Sequence, residues 1–143
     1  MPNHFHFLIH ANSKTVKRIK KGCTYSNRLS EGFRKLLSFY TLGINKQENR
    51  TGSLFQQNTK AKSLDGPDYP RICFHYIHQN PLIAGLVQKI EDWPYSSFND
   101  YLGRTNDGLC NIELAVKYLD LDLDNFYRDS YDQIDTENIE KLF

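Results

Sequence analysis

Met1-Pro2-Asn3-His4-Phe5-His6-Phe7-Leu8-Ile9-His10 opens the chain, and its alternation governs how the rest is read. Side chains of a strand alternate between faces, so Phe5, Phe7 and Ile9 share one face while His4, His6, Leu8 and His10 share the other. The expectation is a strand with an apolar side to be covered and a histidine-bearing side. Two imidazoles one pleat apart can point at a common ion, and neutral imidazole suits Mn, Zn, Fe or Ni. The spacing by itself is a weak signal, since paired histidines near a terminus are ordinarily surface residues.

Residues 13–21 follow as a short basic stretch (Lys14, Lys17, Arg18, Lys20, Lys21), read as helical and broken by Gly22. A longer helix is predicted over residues 27–45, where Leu29, Phe33, Leu36, Leu37, Tyr40 and Ile44 recur at three- and four-residue steps. Asn49-Arg50-Thr51-Gly52 is turn chemistry. Residues 53–63 read as a second strand, with Lys60 and Lys62 on the face of Leu54, Gln56 and Asn58. After Asp65-Gly66-Pro67, Asp68 is placed to cap a helix reaching about residue 79. Asn80-Pro81 reads as the start of a new helical piece, because proline fits the first helical position. A further helical turn is expected over 97–102, and the acidic tail through Val116, Leu119 and Phe126 is expected to be helical.

A net charge of +1 over 143 residues conceals an asymmetry. Up to Lys62 the chain carries 12 Lys/Arg against only Glu31 and Glu48, a balance of +10; from Ser63 onward 6 Lys/Arg face 15 Asp/Glu, a balance of −9. A basic half fits a polyanion, because each phosphate contact releases counterions. A solvated helix face balanced by the acidic half fits the charges equally well. Cys23, Cys73 and Cys110 are odd in number and widely spaced, which suggests reduced thiols of a cytoplasmic protein and not a disulfide frame. No apolar run approaches the length of a membrane span, and the start lacks a secretory pattern.

Tyr76 and Asn80 form the second constellation. Four residues apart on a helix, they share a face. A phenol is a poor nucleophile at neutral pH because its pKa is near ~10, but a divalent cation can stabilise the phenolate and polarise a phosphate. Taken separately, the plainer readings are favoured here: Tyr69, Ile72, Cys73 and Tyr76 make a core-like stripe, and Asn80 before Pro81 is a good cap.

Four blocks in order add to this. Met1 to Ile9 resembles the histidine–hydrophobe–histidine strand of the HUH endonucleases. Arg50-Thr51-Gly52-Ser53-Leu54-Phe55-Gln56 resembles the turn and strand that follow in one branch. Tyr76-Ile77-His78-Gln79-Asn80-Pro81-Leu82-Ile83-Ala84-Gly85-Leu86-Val87 resembles the nucleophile helix and the turn after it. Asp92-Trp93-Pro94-Tyr95-Ser96-Ser97-Phe98, with Tyr101-Leu102-Gly103 behind, resembles the block that closes the catalytic domain. The chain thus resembles the single-tyrosine HUH transposases, and in particular the REP-associated tyrosine transposases.

The resemblance implies an α+β fold: an antiparallel sheet backed by helices, ferredoxin- or RRM-like, lacking its N-terminal strand–helix–strand because Met1 falls inside the motif. It implies a catalytic domain over residues 1–105 and an acidic, helical extension over 106–143. His4, His6 and Asn80 would bind Mg or Mn, and Tyr76 would nick and rejoin single-stranded or hairpin DNA through a 5′-phosphotyrosine. Lys14, Lys17, Arg18, Lys20, Lys21, Lys60 and Lys62 would meet phosphates. Gln57-Asn58-Thr59 departs from relatives, which more often carry a basic residue and an aromatic there. His75 and His78 flank the tyrosine but point elsewhere on the helix. Monomer and homodimer both remain open. One rival is a non-catalytic relative that holds hairpin DNA; another is a hydrolase using His4, His6 and His10 with water. A sheet of few strands with an open edge beside the histidine strand is the structural expectation.

Overall fold

Asn27 caps the longest helix, its side chain accepting from the Ser30 amide at 2.8 Å, and the three-to-four-residue apolar repeat carries that helix, α1, across Arg28–Gln47. The computed structural model describes residues 4–56, 59–66, 68–132 and 134. They divide into two compact units, one formed by Met1–Leu8 with Ser63–Phe143, the other by Ile9–Lys62.

In the second unit, β1 (Arg18–Lys21) and β2 (Thr24–Asn27) pair antiparallel, Arg18 opposite Asn27 and Lys21 opposite Thr24, ahead of α1. Gly22 sits at φ +59, a left-handed backbone that glycine adopts without steric cost. The expected basic helix over 13–21 is therefore corrected to a turn followed by a strand. The hairpin is steadied by the Arg18 guanidinium 3.8 Å over the Tyr25 ring and by Glu31, which binds both Lys21 and Arg34. No residue of α1 is buried, and Leu36, Phe39, Tyr40 and Leu42 are all exposed.

The first unit is built on α2 (Tyr69–Ile83). Pro70 lies in its first turn, where a missing N–H costs nothing. Asp68 makes no side-chain cap; its carboxylate pairs instead with Arg71 at 3.3 Å. Pro81 does not start a new helix but lies inside α2, in its last turn; the helix closes just beyond it with Ala84 N–H on the Asn80 carbonyl and Leu86 N–H on the Pro81 carbonyl, both 3.0 Å. A 3-10 turn (Ile90–Asp92), α3 (Phe98–Tyr101), α4 (Ile112–Leu119) and α5 (Phe126–Asp129) follow. Phe74, Ile90, Phe98, Leu119, Leu121 and Phe126 form one core, so residues on both sides of position 105 contribute to it. Each such burial stabilises by about 1.5–3 kcal/mol.

The architecture is α+β with a single two-stranded antiparallel sheet among the described residues. The segment bearing His4 and His6 is not a strand of that sheet, and Phe5, Phe7 and Ile9 are 40%, 51% and 43% exposed. Alternation specifies a strand only where a neighbouring chain supplies a ladder, and the described ladder joins β1 to β2 alone. The second strand expected over 53–63 is likewise absent from its described residues; Gln57 and Asn58 lie outside them. No helix among the described residues is long and apolar enough to cross a membrane.

His78 is a core residue of α2, packed edge-on against Phe74 at 4.5 Å, and burial pushes its imidazole down to about 3, with the charge on His75 adding to the effect. A folded value below the unfolded one means the unfolded chain takes the proton first. The stability held above about pH 6.5 should fall as pH drops toward 3, at up to about 1.4 kcal/mol per pH unit. Urea midpoints between pH 7 and 4 should show this slope, and His78→Gln should flatten it.

Candidate active site

α2 presents two faces four residues in register. Phe74 and His78 point to the core, while Tyr76 and Asn80 lie on another side of the helix. The His78 Nε2 meets Ser97 Oγ at 2.8 Å, which ties the helix to the loop before α3. On the tail side, the Gln79 amide donates to the carbonyls of Ser130 (2.9 Å) and Asp132 (2.8 Å). His75 Nδ1 lies 3.1 Å from the fully buried Ser130 hydroxyl. His75 and His78 thus serve packing and positioning. Gln79 went unremarked in the sequence although it sits inside the tyrosine motif. Its signal was its neighbourhood: an amide on a helix otherwise facing a core needs partners.

Across the other side of α2 lie the two N-terminal histidines, in the same compact unit. The Asn80 side-chain amide nitrogen is 3.2 Å from His6 Nε2. The His6 and Tyr76 rings are 6.4 Å apart, and the His4 and His6 rings 5.0 Å apart, edge to face. The Asn80 side chain also acts on the Tyr76 phenol, favouring its ionised form. Asn80, 7% exposed, therefore touches both an imidazole and the phenol. His10 belongs to the other unit and is exposed.

The electrostatics are those of a half-buried site. Burial, then the nearby His4 and the chain's amino terminus, holds the His6 imidazole below its usual value, which favours the neutral form. Burial raises the Tyr76 phenol above its ordinary value, while the Asn80 hydrogen bond favours the phenolate and pulls the other way. Among the described residues no group of three His, Cys, Asp or Glu converges on one point; the third donor here is an amide. The donor set fits a divalent cation: two imidazoles and an amide that offers its oxygen where its nitrogen now stands on a half-turn about its last bond.

Lys14, Lys17, Arg18, Lys20, Lys21, Lys60 and Lys62 are all exposed and all belong to the unit Ile9–Lys62. Lys21 is engaged by Glu31 at 2.8 Å, and Arg18 by Tyr25. Cys23, Cys73 and Cys110 are free thiols. Comparison with protein-family models, with curated proteins and with solved structures finds no match to this chain.

Asn80 is the group that joins phenol to imidazole. Asn80→Ala should remove the bond that favours the phenolate and move the Tyr76 titration upward, as read by ring-carbon NMR against pH. An unchanged titration would show that Asn80 does not bond the phenol.

Proposed function

We propose that this chain nicks and rejoins single-stranded DNA as a metal-dependent HUH transposase with Tyr76 as its nucleophile. The observation that supports the reading is the meeting of His6, Asn80 and Tyr76, which brings groups 74 positions apart to a 3.2 Å contact beside the phenol. With it goes the HUH arrangement, in which a histidine-bearing segment lies beside the tyrosine helix; the proximity of His6 to α2 supports that part. Exposed basic residues in the unit Ile9–Lys62, among them Lys14, Lys17, Lys20, Lys60 and Lys62, would hold the phosphate backbone. Free thiols are in keeping with work in the cytoplasm.

His4, His6 and Asn80 would hold Mg or Mn, which when bound supplies Lewis-acid polarisation of the scissile phosphate and favours the phenolate. Tyr76 Oη gives up its proton to solvent and attacks the phosphorus in line. The Oη–P bond forms as the P–O3′ bond breaks, and the departing oxygen takes a proton to become a 3′-hydroxyl. The DNA 5′ end is left on the tyrosine, and attack by a 3′-hydroxyl reverses the step. Asn80 would favour the ionised phenol and contacts His6.

A second reading, a non-catalytic protein that holds hairpin DNA, is favoured by one observation: burial sets the Tyr76 phenol above its ordinary value. One experiment separates the readings. Incubation with single-stranded oligonucleotides and Mn should give a denaturant-resistant protein–DNA adduct that Tyr76→Phe abolishes. Binding without any adduct would establish the second reading. Cleavage that survives Tyr76→Phe would assign the chemistry to water activated near His4 and His6.

A further inference from the structure

Trp93 and Tyr95 stand on either side of Pro94 in the loop between the 3-10 turn and α3. Their rings meet edge to face at 5.6 Å, and Tyr95 is 84% exposed. Such an exposed aromatic contributes almost nothing to the core. Trp93 is half-buried, whereas Tyr95, touched edge to face by Trp93, keeps most of its ring face open.

The loop that carries the pair is held at both ends. Ile90 is fully buried, its N–H donates to the Tyr131 hydroxyl at 2.9 Å, and the Trp93 N–H closes on the Ile90 carbonyl at 3.2 Å. The Asn99 amide donates to the Glu91 carbonyl at 2.9 Å, and the Phe98 N–H to Ser96 Oγ at 3.2 Å, with the Phe98 ring buried. Two residues past Tyr95, Ser97 bonds His78, which lies between Tyr76 and Asn80 in α2. The aromatic pair and the candidate nucleophile therefore belong to one packed unit. Ring faces on a braced loop lose little freedom when something stacks on them.

We infer that Trp93 and Tyr95 form a stacking platform for an unpaired base of single-stranded DNA. The inference rests on the proposed DNA substrate, which supplies a flat π-faced partner for the exposed ring. Stacking, not phosphate contact, is the mode the local chemistry permits. Glu91 and Asp92 flank the pair on the N-terminal side, with Lys89 the one cation there. A phosphate gains nothing from such a neighbourhood, whereas a base meets a ring through its face.

Two features make the test sharp. Trp93 is the only tryptophan, so its fluorescence reports on this loop alone, and Tyr95 is exposed enough to be replaced without disturbing the core. A dye-labelled single-stranded oligonucleotide should bind the full chain and quench Trp93. An abasic oligonucleotide of the same length should bind more weakly and quench little. Tyr95→Leu, which keeps apolar area but loses the ring, should weaken affinity roughly 5- to 150-fold without changing the salt dependence; Tyr95→Phe should retain affinity. Tight binding unaffected by Tyr95→Leu, with Trp93 fluorescence unmoved, overturns the platform and leaves the DNA reading standing. Failure of the unsubstituted chain to bind any oligonucleotide removes both. Self-association abolished by Tyr95→Leu, with oligonucleotide affinity unchanged, would assign the pair to contact with a second copy instead.

Discussion

The packing of α2 against the core through Phe74 and His78 is the constraint on which the candidate site depends. Those two residues are one helical turn apart, and Phe74 touches His78, Tyr101 and Phe126 with ring centroids 4.5, 4.9 and 5.9 Å away. Locking that face fixes the rotation of the helix about its axis, and so fixes where Tyr76 and Asn80 must project. The hydrogen bonds of His75 and Gln79 to residues 130 and 132 restrain the helix from a third direction. A helix with three of its sides engaged is a rigid mount, as the proposed nucleophile would need if its placement is to hold within a fraction of an ångström.

The tail of the chain supplies much of that rigidity. Phe126, with Ser130 behind it, is buried beneath α2, and Tyr131 reaches back to the Ile90 amide and the Glu91 carboxylate. A segment that looks in sequence like an acidic extension thus contributes core side chains and hydrogen-bond acceptors. Its carboxylates, such as Asp122 and Asp124, stay at the surface. Its apolar residues are few but large, and they are the ones that pack.

Long periodic patterns were legible from sequence. The repeat from Leu29 to Ile44 marked α1 to within a few residues, and the stripe through Tyr69, Ile72 and Tyr76 marked α2. Short elements were not. A four-residue strand such as Arg18–Lys21 carries too few positions to distinguish period 2 from a helical turn, and its charge density suggested a solvated helix. The alternation from Phe5 to Ile9 was a true pattern without a partner, and a strand is a property of two chains, not one. Pro81 misled because proline fits a helix start, whereas here it falls in the last turn of α2, where one missing N–H precedes the helix end by only two residues. At the site, the shared face of Tyr76 and Asn80 follows from four-residue spacing alone. The contact of Asn80 with His6 could not be reached that way, because nothing local relates position 80 to position 6.

We propose that His4, His6 and Asn80 make one divalent site beside Tyr76. Its most direct test is a Mn titration followed by NMR of the imidazole and side-chain amide resonances. Paramagnetic broadening should strike His4, His6 and Asn80 together at low occupancy, with the Tyr76 ring next. Broadening confined to surface carboxylates such as Asp120, Asp122 and Asp124, with the two imidazoles and the amide untouched, would rule that site out.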